Sequence, residues 1–150
     1  MAASVVCAVA DSPSAAEVLR VAVWMKEGLG LPLVIAHVVV VPAIVGLTSS
    51  SYLYTHPSDS ELSREAGEAL LEKIASRARD ASGAELRVLI GDPAESLLRL
   101  AEEEQAQLIV VGSRGRGALI TALLGSVSST LTTQAPCPVV VVPPRATLEP

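Results

Sequence analysis

Five short apolar runs, each separated from the next by a stretch with helical signals, constrain this chain more than any other feature of it. Residues 5–9, 33–40, 85–90, 108–111 and 139–142 have strand length and are rich in Val, Ile and Leu. The second run is apolar along its length, which suits a parallel sheet covered on both faces. Ser14-Ala15-Ala16-Glu17 fits an N-terminal capping box and predicts a helix to about Leu29, with Gly28 and Gly30 as stop signals. Ser58-Asp59-Ser60-Glu61 is a second such box. It opens a helix to about Ala81, with Leu62, Ala66, Ala69, Leu70 and Ile74 on its apolar face and Gly83 as its stop. Asp92-Pro93-Ala94-Glu95 sets Asp as N-cap and Pro at the first helical position, predicting a helix over 94–104. A last helix over 126–135 ends at Pro136-Cys137-Pro138. Strand and helix alternate throughout, so the expected fold is an α/β three-layer sandwich: a five-stranded parallel sheet, right-handed crossovers, helices on both faces.

Composition narrows the function. The 150 residues are expected to form one domain, 1–150, and are 50% hydrophobic, which argues against disorder. Aromatics make up 2% and Phe is absent, so the core must be built from Val, Leu, Ile and Ala. Few aromatics argue against stacking platforms for single strands, and a net charge of −5 argues against a phosphate-backbone binder. Nucleic acid is therefore not expected as a partner. Cys7 reads as a core residue, and neither Cys137, between two prolines, nor the isolated His37 and His56 has metal-site spacing. His37, inside a strand, reads as a packed core residue. The N-terminus lacks the basic region of a signal peptide. Residues 29–47 carry no formal charge apart from His37, but Pro32 and Pro42 punctuate them, so a buried strand and a loop explain them better than a membrane span. A cytoplasmic protein without a membrane segment is expected. The Ser/Thr-rich stretch 42–57, with Tyr52 and Tyr54, reads either as a functional flap or as a mobile connection.

The chemistry concentrates after the fourth strand. Gly112-Ser113-Arg114-Gly115 follows that strand directly, and nine residues later Gly125-Ser126 opens the last helix. Glycines let a backbone approach a ligand closely, and a helix N-terminus offers unpaired N–H groups with partial positive charge. Strand, glycine loop and helix start together form a plausible phosphate seat. Charge agrees: no Asp or Glu lies between Glu104 and Glu149, and the only charges over 105–144 are Arg114 and Arg116. The simpler alternative is a surface loop with solubilising arginines beside a buried helix. The loop is not a Walker A motif, since no Gly-Lys-Ser/Thr follows. Nor is it the dinucleotide fingerprint, which belongs after the first strand with tighter spacing. Ligands in open parallel sheets bind beyond the carboxyl ends of strands where connections diverge. The end of the first strand, Ala10 to Ser12, lies close if the strand order reverses there.

The pattern Gly112-x-x-Gly115, nine residues, Gly125-Ser126 resembles the nucleotide motif of the universal stress protein family, in its ATP-binding branch. The similarity extends over most of the chain. Residues 88–93 look like the family's third strand running into a Gly-x-Pro helix start, residues 136–142 like its closing Cys-Pro-Val strand, and Ala36-His37-Val38 like part of its second strand. The resemblance implies a Rossmann-like fold of the adenine nucleotide alpha hydrolase type with strand order 3-2-1-4-5, and ATP as ligand. Gly112 and Gly115 would admit ribose and phosphates, with Val111 and Ser113 alongside. Gly125, Ser126 and Val127 would hold phosphates through N–H groups and the serine hydroxyl. Val38 would meet adenine through its backbone, and Arg114 and Arg116 would pair with phosphate oxygens. The family commonly carries an Asp at the end of strand one, often as Asp-Gly-Ser. Aligned on Ser12, this chain has Ala10 at that position and Asp11 one place later. Asp11 either reaches the pocket through a shifted loop or caps the first helix. With no other carboxylate at hand, Mg²⁺ or Mn²⁺ would bind through the phosphates and water. The resemblance also implies a homodimer through Val139, Val140, Val141 and Val142, an exposed apolar edge being a ready pairing surface. An edge covered by the tail 143–150 is the other reading.

Three functions fit these residues. The first is an ATP-binding stress-response or signalling module without rapid turnover. The second is a slow ATP hydrolase drawing a catalytic group from Asp11 or the 42–57 segment. The third is a nucleotide-free dimeric interaction protein.

Overall fold

The computed structural model describes residues 3–40, 57–78, 81, 83–113 and 125–144, with the side chains of residues 57–62 outside the description. In chain order the elements are β1 (Ser4–Ala8), α1 (Ala15–Leu29), β2 (Leu33–Val39), α2 (Pro57–Ser76), β3 (Glu85–Ile90), α3 (Pro93–Glu103), β4 (Ala106–Gly112), α4 (Ser126–Gln134) and β5 (Val139–Val142). All strand pairings are parallel, and the sheet order is β3-β2-β1-β4-β5. The expected fold class and order are both present. The chain steps outward from β1 to β3, then crosses back to β4 and continues to β5.

Alternate residues of the central strands feed two separate cores, as a period of two requires. Val5, Cys7, Val9, Leu108 and Val110 pack with Leu19 and Ala22 of α1 and Leu71 of α2. Val6, Ile109 and Val111 pack with Leu97 and Leu100 of α3 and Leu131 of α4. The helices therefore cover both faces, α1 and α2 on one, α3 and α4 on the other. Cys7 is wholly buried, and that burial pushes its thiol up to about 12, so it is a core residue as expected. Among the described residues no helix is long and apolar enough to cross a membrane. Residues 33–39 of the charge-free stretch form a central strand.

Several local expectations change. α2 begins at Pro57 and ends at Ser76, short of Ala81, because the chain from Arg77 onward passes into successive short-range turns. Its buried face is also different: Ala66 and Ala69 are exposed, while Gly67 and Leu71 are buried. Gly67 sits so close to the sheet that a Cβ there would lie 3.0 Å from Val88 Cγ1 and 3.3 Å from Val39 Cγ2. That contact turns Leu71, one helical turn on, into the core. The stop of α1 is Gly30, left-handed at φ 66°, whose N–H bonds Glu27 O while Leu31 N–H bonds Lys26 O. Gly28 lies inside the helix.

The two helix starts differ in chemistry. Asp92 accepts from the Glu95 N–H at 2.9 Å, the N-cap bond that its sequence predicts. Ser14, at φ −89° and ψ 0°, makes no such bond; its hydroxyl pairs with Ser12 Oγ at 3.1 Å. The box at Ser14-Ala15-Ala16-Glu17 is thus not formed, because the preceding turn holds its hydroxyl. Asp92→Ala is expected to cost about 0.5–2 kcal/mol in urea unfolding. Ser14→Ala should stay within about 0.5 kcal/mol of the parent. Equal costs at the two positions would contradict this assignment of caps.

Candidate functional site

The carboxyl ends of β1 and β4 lie side by side, with Ala8 paired to Val111. From there the chain departs in opposite directions. After β1, Ser12 N–H bonds Ala10 O at 2.9 Å and Ala15 N–H bonds Ser12 O at 3.2 Å, a turn that launches α1 over one face. After β4, Ser113 N–H bonds Val142 O at 2.9 Å, fixing the end of the strand to β5. The Ser113 carbonyl accepts from Gly125 N–H at 2.6 Å, and α4 starts at the next residue over the other face. This is the divergence of connections at which open parallel sheets bind ligands.

Gly125 is required where it stands. A Cβ on it would lie 2.9 Å from the Ser113 carbonyl oxygen, a backbone atom with little freedom to yield. The Gly125 carbonyl accepts from Ser129 N–H at 2.9 Å and from Ser128 Oγ at 3.0 Å. The N–H groups of Ser126, Val127 and Ser128 reach no acceptor among the described residues, as the first turn of a helix dictates. They form a small set of aligned donors at the positive end of α4. No carboxylate belongs to the segment from 105 to 144, so none in that segment opposes an anion at these donors.

The expected site residues divide as follows. Ala10 and Ser12 lie in the turn after β1, both partly buried, with Asp11 exposed between them. α1 starts at Ala15 with Ser14 as N-cap, so Asp11 does not cap it. Gly112 ends β4, and Ser113 links β5 to Gly125. Val111 is buried in the α3–α4 core, so its side chain does not line the crevice. Val127 also packs against that core, leaving its N–H as the polar group at the helix start. Val38, near the end of β2, is partly buried. Arg114, Gly115 and Arg116 lie outside the described residues, as do His56 and residues 42–56 of the expected flap.

Near these strand ends the sequence reading missed Ser128 and took His37 for a packed core residue. Ser128 is buried, with its hydroxyl anchoring the Gly125 carbonyl. A serine three residues past a glycine N-cap is the only signal that could have found it. His37 is not a purely packed side chain: its Nδ1 lies 2.9 Å from Val9 O. Among the described residues no group of three or more His, Cys, Asp or Glu side chains could hold a metal ion.

The family model described as the universal stress protein family matches residues 1–143. The universal stress protein YxiE of Bacillus subtilis is 34% identical over 141 residues, covering 90% of this chain and 95% of that one. A universal stress protein of Thermus aquaticus is 49% identical over 55 residues, which are 37% of this chain and 40% of the relative. One of Methanocaldococcus jannaschii is 39% identical over 85 residues, 55% of this chain and 49% of the relative. The chain thus spans less than half the length of these last two relatives. A universal stress protein solved in complex with cAMP superposes with a TM-score of 0.68 at 25% identity, covering 94% of this chain and 97% of that one. One from Archaeoglobus fulgidus in complex with dAMP superposes at 0.65 and 23% identity, covering 93% and 97%, a likeness of fold. With the sheet order, the glycine-opened helix start and the match over 1–143 together, this chain belongs to the universal stress protein family.

Proposed function

We propose that this chain is a nucleotide-binding stress-response or signalling module. ATP is its ligand, seated beyond the carboxyl ends of β1, β2 and β4. The observation that carries the proposal is the start of α4, where Gly125 is held against Ser113 O and the amides of Ser126, Val127 and Ser128 have no acceptor among the described residues. Aligned N–H groups at a helix start, with no carboxylate in the surrounding segment, suit a phosphate. The cAMP complex of a related fold supports an adenine nucleotide in particular. In this reading Gly112 and Ser113 flank the phosphates, and Ala10, Asp11 and Ser12 border the ribose. Val38 meets the base, and Gly115, Arg114 and Arg116 complete the loop around the phosphate tail. A divalent ion would be held through the phosphates and water.

Magnitudes set what such a site must supply. Micromolar affinity corresponds to about 8 kcal/mol. A helix end alone gives about 0.3–2 kcal/mol. Each charge-assisted hydrogen bond adds about 1.5–3 kcal/mol. Three amides plus burial of the base therefore reach the micromolar range, and the helix end alone does not.

We also propose a two-fold dimer through β5. It is an edge strand in which Val139, Val140 and Val141 remain partly exposed, while Val142 turns into the α1 core. Sedimentation at micromolar concentration should show the dimer; a monomer would contradict it.

Calorimetric titration with ATP and Mg²⁺ should give a micromolar Kd. Gly125→Val should weaken it by at least about tenfold, because the new side chain separates Ser113 from the helix start and misaligns the amides. Full affinity in a folded Gly125→Val protein would contradict the phosphate seat. Steady ADP release by the parent, absent in the variant, would replace the module with a slow hydrolase. Absence of any binding would leave an interaction protein.

A further inference from the structure

The backbone of β2 alternates in direction. Pro32 O accepts from Val5 N–H and Ala36 O from Val9 N–H, so even-numbered residues of β2 turn toward β1. Val39 O accepts from Gly91 N–H, so odd-numbered residues turn toward β3. Val38 therefore faces β1. In an uninterrupted parallel ladder a residue whose N–H bonds Ala36 O returns its own carbonyl to the N–H of Val38. Val9 does the first and not the second: strand pairing ends at Ala8–Ala36. The Val9 carbonyl lies 2.9 Å from His37 Nδ1 instead. A carbonyl can only accept, so Nδ1 carries the proton and donates it. The Val38 N–H reaches no acceptor among the described residues.

We propose that His37 is a positioning residue for the nucleotide base: its ring takes the Val9 carbonyl and thereby keeps the Val38 N–H and C=O open toward the gap beside β1. A strand residue presents its N–H and C=O on the same side, one donor beside one acceptor. That pair matches a base edge bearing an acceptor nitrogen next to an exocyclic amine, as in a 6-aminopurine. Without a side-chain donor on Val9 O, the ladder can extend by one bond and take up the Val38 N–H. The base would then have to break that bond to enter. His37 does not touch the ligand in this account; it acts through Val9 and Val38. The inference rests on the nucleotide reading for its ligand but not for the hydrogen-bond exchange it describes.

The two parts are tested separately in the full-length protein. His37→Phe keeps a ring and removes the donor, with His37→Leu as a second donor-free variant should the first not fold. His37→Asn restores a donor, since its amide nitrogen occupies the place of Nδ1. Amide hydrogen exchange read by NMR, without ligand, should show Val38 unprotected in the parent and in His37→Asn, and at least tenfold slower in His37→Phe. Ile35, inside β2, should be unchanged in all three. Titration with AMP should then show affinity lowered about tenfold in His37→Phe and kept within about threefold of the parent in His37→Asn. A protected Val38 amide in the parent, or unchanged exchange in the donor-free variants, would overturn the assignment to His37 whatever the protein binds. Equal loss of affinity in His37→Phe and His37→Asn would do the same, since volume would then matter and not the donor. An open Val38 amide in a parent that takes up no adenine nucleotide would instead overturn the nucleotide reading.

Discussion

A parallel sheet of valine and isoleucine must be covered on both faces, and that requirement shapes everything else in this molecule. The four helices of the described residues divide two and two between the faces. The chain can achieve this only by leaving β1 in one direction and β4 in the other, so the two strand ends part. Backbone groups that a continuing ladder would have used become available at the parting. Ser113 and Gly125 close one side of it with a 2.6 Å hydrogen bond, and Val9 and His37 close another at 2.9 Å. The candidate site is the consequence of burying the sheet and needs no dedicated scaffold.

Among the described residues the polar groups offered there are mostly main-chain. Few side chains at the strand ends are charged, and Asp11 is the carboxylate in the turn after β1. A site of amides has two physical advantages in an acidic protein. Its donors are fixed by helix and strand geometry, so little conformational entropy is lost when an anion arrives. Its partial charges are permanent and do not titrate. The cost is steric: Gly125 has no room for a Cβ against Ser113 O. The buried hydroxyl of Ser128, bonded to Gly125 O, holds that tight approach from the other side.

Much of this was legible in the residues. The alternation of apolar runs and capped helices predicted the sheet and its coverage, because period and length are local properties. Asp92 and Pro93 marked their helix correctly for the same reason. What failed depended on particular contacts that residue type and spacing do not encode, one of them only two residues away. The Ser14 box has the right residues, but the turn before it pairs the Ser14 hydroxyl with Ser12. Ala66 and Ala69 have helical spacing, but the close seat of Gly67 on Val88 and Val39 rotates Leu71 inward. The bond of His37 has no local signal, since its partner Val9 is 28 residues away, just past the end of β1. The glycines of the site were visible as glycines. That Gly125 needs its small size against the carbonyl of Ser113 could be read only from the folded chain. Arg114, Gly115 and Arg116 remain an inference from sequence and family.

The most direct measurement is a titration of ATP into the ¹⁵N-labelled protein, following individual amides by NMR. The Ser126, Val127, Ser128 and Val38 signals should move together and saturate at one micromolar Kd, one set reporting the phosphates and the other the base. If those four amides stay still while the protein is folded, or move only at millimolar nucleotide like the rest of the surface, no nucleotide sits where the sheet divides.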